Sequence, residues 1–316
     1  GNINTGKVDD MKKKKTAVTK LEKNVISVRA NTILLVILGL LALICVLPMI
    51  LVVIVSFSSE QSIFENGYSF FPSEFSLAAY QYFLKLGDQI FRSYGISLFV
   101  TVFGSLFSLT VTAMFAYVLS RPDYRYRRLF TLLLLFTMLF NGGLVPSYMV
   151  NTQLLGLRDS IWALIFPMSL NAFYVVVLRT FFKGIPLEII EAARIDGAGE
   201  FRTFAKVVLP LSKPGLATIG LFTVIAYWND WFLGMLYMFE TKNYPIQTLL
   251  QSMQNSMEAL SQSSANALEY AEMAKNAPTD SGRMALTVMV VLPVMLAYPF
   301  FQKYFVKGLT VGGVKG

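Results

Sequence analysis

Apolar residues gather in six long blocks separated by polar, charge-bearing stretches: residues 33–55, 93–119, 129–150, 161–182, 216–239 and 285–305. Each is near the length of about 20 residues that a helix needs to cross a bilayer. Hydrocarbon offers no partner to backbone N–H and C=O groups, so a continuous span must be a helix. The pattern therefore predicts an all-α membrane protein with six transmembrane helices. Pro48, Pro146, Pro167, Pro293 and Pro299 fall inside blocks, where they predict kinks. Thr101, Ser105, Ser108 and Thr112 recur at helical spacing in the second block. Such a stripe of small hydroxyl residues suits close helix packing. In the loop 240–283, the stretch 249–274 is rich in Gln, Ser, Met, Ala and Glu and predicts an amphipathic helix.

Charge orients the spans. The segment before the first block holds eight Lys and Arg, the 2–3 loop four, the end of block four and the 4–5 loop six (Arg179, Lys183, Arg194, Arg202, Lys206, Lys213), and the end of block six and the tail three (Lys303, Lys307, Lys315), which is 21 of the chain's 27. The alternate loops share Lys85, Arg92, Arg158, Lys242, Lys275 and Arg283. Positive residues concentrate on the cytoplasmic side, so both termini are expected there. The expected organisation is a basic tail over 1–32, a six-helix domain over 33–306 with an inner loop 184–215 and an outer loop 240–283, and a tail over 307–316. Met11 is a candidate start, with residues 1–10 preceding it. Lys12 to Lys15 resemble the basic region of a signal peptide. The apolar run that follows is long enough to span, which predicts an uncleaved first helix.

Composition narrows the chemistry. Of the 316 residues, 55% are hydrophobic and 15% charged, against roughly 25% charged in soluble domains. The net charge of +8 is explained by topology, not by a nucleic-acid partner. Cys45 is the single cysteine and there is no histidine, which removes intrachain disulfides, CxxC metal sites, His-based acid–base catalysis and HExxH zinc sites. No phosphate-binding Gly-x-x-x-x-Gly-Lys-Ser/Thr loop is present. Any ATP and Mg must therefore bind another polypeptide, and this chain is expected to bind no cofactor.

The inner loop is the informative segment. Pro186 sits where a helix can begin, Leu187 to Asp196 are mostly helix formers, and Gly197 supplies a stop or a left-handed turn. A second short helix is expected from Glu200 to Val208, ended by Pro210. Small Ala192, Ala193, Gly197 and Ala198 allow close approach of a partner, while Glu191 and Asp196 offer charges to it. The bland alternative is an interfacial loop on lipid head groups.

The sequence Glu191-Ala192-Ala193, three further residues, Gly197, then Leu209-Pro210 resembles the EAA loop of ATP-binding-cassette (ABC) importer permeases. Asp196, Ala198 and the run Leu211-Ser212-Lys213-Pro214 are similar to the carbohydrate-uptake subfamily. Arg121-Pro122 resembles that family's exit from span 2, and Trp228-Asn229-Asp230 its Trp-Asn pattern. The ending Gly308-Leu309-Thr310 with Gly312-Gly313-Val314-Lys315-Gly316 resembles the tail of MalG-type subunits. Asn141-Gly142-Gly143, Tyr298-Pro299-Phe300 and Gln302-Lys303-Tyr304-Phe305 are closer to the LplC/YtcP branch, associated with complex oligosaccharides. The resemblance covers roughly residues 33–316 and departs from MalG in the loop 240–283. It implies a type I (MetI-like) permease fold in the cytoplasmic membrane. The implied partners are a second, non-identical permease, two copies of an ATPase, an extracytoplasmic binding protein and an oligosaccharide substrate. It also implies that Glu191, Ala192, Ala193, Asp196, Gly197 and Ala198 dock the ATPase and that Gly312 to Gly316 reach into it.

Asp230 lies about 14 residues into the fifth block, roughly 21 Å along a helix. A carboxylate at that depth usually faces water or a partner. With Trp228, Asn229 and Trp231 beside it, an aromatic face meets amide and carboxylate groups, as a sugar requires. The alternative is that Asp230 only joins helices and Trp231 marks the interface. Asn171 and Tyr174 in the fourth block are further candidates for the substrate path. Two rival functions are the same machine with an amino acid, peptide or polyamine as cargo, and a secondary transporter or membrane enzyme. The absence of histidine and of clustered intramembrane carboxylates disfavours the last two.

Overall fold

A computed structural model describes residues 27–85, 87–263 and 280–313. The chain divides into two units, Gly1–Val53 and Ile54–Gly316. The described part of the first is nearly all of α1 (Val28–Ser56), apolar on every face and long enough to cross a membrane. It starts five residues before the expected block.

The second unit is built around α4 (Gly87–Ser120), 34 residues or about 51 Å long. It is preceded by the short α2 (Glu60–Asn66) and α3 (Ala78–Lys85). One face of α4 is made of small side chains: Ser93, Ser97, Thr101, Gly104, Ser105, Ser108, Thr112 and Ala116 are all buried. The expected hydroxyl stripe is thus inside the packing. Small residues bring backbones together where lipid supplies no hydrophobic drive.

The third and fourth blocks, expected as continuous spans, are broken. α5 (Arg127–Leu139) and α6 (Leu144–Met149), which runs on as a π-turn Val150–Leu154, meet at 114°. The break lies at Asn141-Gly142-Gly143. Gly143 takes φ +88°, open mainly to glycine, and its N–H donates to Asn141 Oδ1 at 2.9 Å. α7 (Trp162–Ile165), with a 3₁₀ turn over Phe166–Met168, meets α8 (Ala172–Lys183) at 54°. Local side-chain acceptors replace the intrahelical bonds that each break removes.

The inner loop forms α9 (Leu187–Ile195) and α10 (Glu200–Thr203), the latter widening through π-turns over Phe204–Val208 and ending on Leu209–Leu211. Pro210 does not end this segment. The wide turns before it relieve the bond that proline cannot make, and the 85° bend comes instead at Ser212, before α11 (Lys213–Trp228). The fifth block is also interrupted: α11 stops at Trp228, and α12 (Phe232–Tyr237) resumes after Asn229-Asp230-Trp231. The outer loop contributes α13 (Ile246–Ser263), and α14 (Asp280–Gly313) ends the described chain. The amphipathic helix expected over 249–274 begins at Ile246, and its part beyond Ser263 lies outside the described residues. Ile246, Thr248 and Leu249 are buried, so its first turns belong to the core.

Three apolar clusters hold the unit together. One joins Ala116, Tyr117 and Leu119 of α4 to Leu178 and Phe182 of α8, Ile190 of α9, and Phe204 and Val208. A second packs Phe83, Ile90, Trp228, Ile246, Leu286 and Val290. The third gathers Val100, Leu164, Ile165, Tyr227 and Tyr237. α4 enters all three and is the spine of the unit.

The start of α14 is fixed by a distant carboxylate. Glu60 accepts from the Asp280 N–H at 2.8 Å, the Ser281 N–H at 3.2 Å and the Ser281 hydroxyl at 2.7 Å. Loss of a capping side chain costs about 1 kcal/mol. Glu60→Ala is expected to lower the unfolding free energy in detergent by that amount and to raise amide exchange at residues 280–283 selectively.

Candidate functional site

The loop 184–212 is built from its own sequence. Pro186 precedes α9 with φ −55° and ψ 135°. At the other end the Gly197 N–H donates to the Arg194 carbonyl at 3.0 Å and the Ala198 N–H to the Ala193 carbonyl at 2.9 Å. These are the two bonds of a Schellman motif, which places the residue between them in the left-handed region. Gly197 has φ +78°, so a side chain there would strain the turn. α9 buries a single residue, Ile190, at 6% exposure. Glu191, Ala192, Asp196 and Gly197 are exposed, and Ala193 and Ala198 are half-buried. Ile195 and Phe201 point outward at 87% and 75% exposure. Two exposed apolar side chains beside a carboxylate and small residues suit a contact surface.

Charge ties this loop to the end of α4. The Arg194 guanidinium donates to Asp123 Oδ2 at 2.7 Å and, through Nε, to Glu200 Oε1 at 3.1 Å. Glu200 also accepts from the Tyr117 hydroxyl at 2.7 Å. Arg121, 5% exposed, lies 3.4 Å from Asp123 and 3.8 Å from Glu200. The Arg194 hydrogen bond holds the Asp123 carboxyl below its ordinary value of 3.8. The Tyr117 hydroxyl, then Arg194, hold Glu200 below 4.5. A lowered carboxylate favours the folded tie above its unfolded value, and that contribution is lost as pH falls through the folded one. Amide protection over 187–203 is therefore expected to be flat through neutral pH and to fall only below about pH 4, as hydrogen exchange across a pH series would register.

The residues expected to line a substrate path fall in different settings. Trp228 is 6% exposed, and its Nε1 donates to the Val290 carbonyl at 3.3 Å, so its ring is used in packing. Asp230 is half-buried at the helix break and caps α12, accepting from the Leu233 N–H at 3.4 Å. Asn229 is exposed and accepts from Gln247 at 3.4 Å. Trp231 is 42% exposed, edge-on to Phe232, and its carbonyl accepts from Thr248. Asn171 is the cap of α8, taking the Phe173 and Tyr174 N–H groups. Half-buried Tyr174 stacks on Phe222 of α11 at 6.2 Å. Exposed polar and aromatic groups thus persist at Asn229, Trp231 and Asn171, but Trp228 is withdrawn from the set. Gly312 and Gly313 end α14, while Val314, Lys315 and Gly316 lie outside the described residues.

Nothing in the sequence announces the Tyr117–Asp123–Arg194–Glu200 tie. Its members are 71 and 83 residues apart in the chain, and no local spacing signals such a contact.

Broken apolar helices around a central spine, with one charged helical loop projecting from them, define a helical membrane protein fitted for a partner. The chain belongs to the family described as binding-protein-dependent transport system inner membrane component, whose match runs over residues 35–311. It is similar to the polygalacturonan/rhamnogalacturonan transport system permease protein YtcP of Bacillus subtilis, at 41% identity over 87% of this chain and 94% of that protein. Protein LplC of the same organism is 36% identical over 88% and 92%. Among solved structures, a bacterial ABC transporter that imports the acidic polysaccharide alginate aligns with a TM-score of 0.75. Identity there is 33%, covering 87% of this chain and 96% of that one. The chain is accordingly a permease subunit of an ABC importer, a transport component and not an enzyme, as the motifs around Glu191 implied.

Proposed function

We propose that this chain is one of two non-identical permease subunits of an oligosaccharide importer, crossing the cytoplasmic membrane six times with both termini inside. The 21-of-27 bias of Lys and Arg toward the termini and the 2–3 and 4–5 loops supports this topology. Two copies of an ATPase hold ATP and Mg, and an extracytoplasmic binding protein delivers the sugar. The observation that carries the reading is the projecting loop, with Glu191, Ala192 and Ile195 exposed and the turn closed by Gly197. This loop is the coupling element, and closure of the ATPase dimer moves it. The tail from Gly312 to Gly316 adds a second contact to the ATPase. Asn229, Asp230, Trp231, Asn171 and Tyr174 are the residues offered to the sugar. YtcP is named for polygalacturonan and rhamnogalacturonan transport, and the aligned structure is of an importer of the acidic polysaccharide alginate, which favours an acidic oligosaccharide as cargo.

The test is purification of this chain in mild detergent from cells expressing its neighbouring genes, followed by ATP hydrolysis with the binding protein and either oligogalacturonate or a neutral maltooligosaccharide. Co-purification of an ATPase and a second permease, with hydrolysis raised by a glycan, is the expected result. Stimulation by the neutral sugar alone would remove the acidic assignment. Stimulation by a non-sugar solute would remove the carbohydrate one. Failure to retain any ATPase would overturn the coupling loop itself.

A further inference from the structure

Phe204 and Val208 pack the end of the coupling loop into the core, but its projecting part, residues 187–203, is anchored by few side chains. α9 buries only Ile190 and α10 only Thr203. A lever held this loosely would turn about its ends and dissipate any push. What stiffens it is charge. Arg194 reaches Asp123, and Glu200 receives Tyr117 and Arg194, so two loop residues grip the final turn of α4 and the segment after it.

Resting on the permease reading above, we propose that Tyr117, Arg121, Asp123, Arg194 and Glu200 form an ion-pair latch that makes α4 the element receiving the ATPase's displacement. Two features give the latch a second arrangement. Arg121 is buried, yet its Nε and Nη1 hydrogens have no acceptor in hydrogen-bonding geometry, and its Nη2 stops 3.8 Å from Glu200. Nη2 itself donates to Asp123 Oδ2 at 3.4 Å, and a shift of roughly 1 Å would carry it from that carboxylate to Glu200. The orphaned Nε and Nη1 hydrogens are costly as they stand, so this arrangement is held weakly enough for a small loop movement to hand the guanidinium from one carboxylate to the other. From Tyr117 the route onward is rigid. α4 packs its small-residue face along α8 and α11, and Gly104 receives the ring of Tyr227, next to the helix break at residues 229–231.

The experiment uses the whole importer reconstituted in vesicles and reads ATPase retention and transport per ATP hydrolysed. Glu200→Gln is expected to retain the ATPase while transport per ATP falls about fivefold. A second variant, Asp123→Cys with Arg194→Cys in a Cys45→Ser background, removes the Arg194 pairing to Asp123 and Glu200 and leaves the Tyr117–Glu200 bond in place. It is expected to be equally poor and to regain coupling when a short bismaleimide joins the two thiols. Wild-type transport per ATP in Glu200→Gln, or in the uncrosslinked cysteine pair, would overturn the latch. So would a crosslink that restores nothing. If Glu200→Gln fails to reach the membrane, the cysteine pair decides alone. An unaltered chain that retains no ATPase would instead defeat the permease reading on which the latch rests.

Discussion

Glu191→Arg is expected to abolish coupled transport while leaving the chain in the membrane at normal level. Glu191 is exposed on α9, and its carboxylate takes part in no ion pair among the described residues, so the fold has little to lose. Its value lies with a partner. Reversing a charge that pairs across an interface costs about 2 kcal/mol or more, or roughly thirtyfold in affinity. ATPase retention should fall by that factor, and the residual hydrolysis should no longer respond to the binding protein. Uptake at the wild-type rate would count directly against the docking assignment. Because the substitution neighbours Ala192 and the Schellman turn at Gly197 without entering either, circular dichroism should be unchanged.

The second large effect is expected inside the bundle. A Cβ on Gly104 would lie 2.7 Å from the Tyr227 ring, and the ring cannot swing aside. Its hydroxyl donates to the Ile165 carbonyl at 2.8 Å, and the residue is 4% exposed. Gly104→Ala is thus expected to destabilise by about 1–3 kcal/mol, the cost of overpacking a filled site. The diagnostic is the double-mutant cycle. Tyr227→Leu is harmful by itself because it cuts the bond to α7. Gly104→Ala added to it should cost less than in the native background, by about 0.5 kcal/mol or more. Denaturant unfolding in mixed micelles measures all three variants. Strict additivity would mean that the ring is not what excludes a side chain at Gly104.

Local chemistry was readable where one segment suffices. The apolar blocks indicated the helices, the Pro186 start and the Gly197 stop of α9 are written in adjacent residues, and the hydroxyl stripe of α4 announced a packed face by its spacing alone. The errors share a cause. Blocks three, four and five were read as continuous because hydropathy averages over a window. It is blind to a single Asn or Gly whose side chain or positive φ takes the backbone elsewhere. Asn171, a candidate for the substrate path, is exposed and also caps α8, a second role that hydropathy does not register. Trp228 is grouped with its neighbours in the sequence, but it is the last residue of α11 while Asn229 to Trp231 lie in the break beyond it. The reach of α14 then decides which of them is covered.

By itself the sequence determined that this chain belongs in a membrane, which stretches are helical in the main, and where α9 starts and stops. These follow from transfer energies, hydrogen-bond satisfaction and turn stereochemistry, all local quantities. Only the tertiary structure decided that Tyr227 would close on Gly104, that Trp228 would be buried against Val290, and that Arg121 and Asp123 would meet Arg194 and Glu200. Those contacts join residues 62 to 123 positions apart. Their energy depends on which helix faces which, and no pattern along one segment contains that choice.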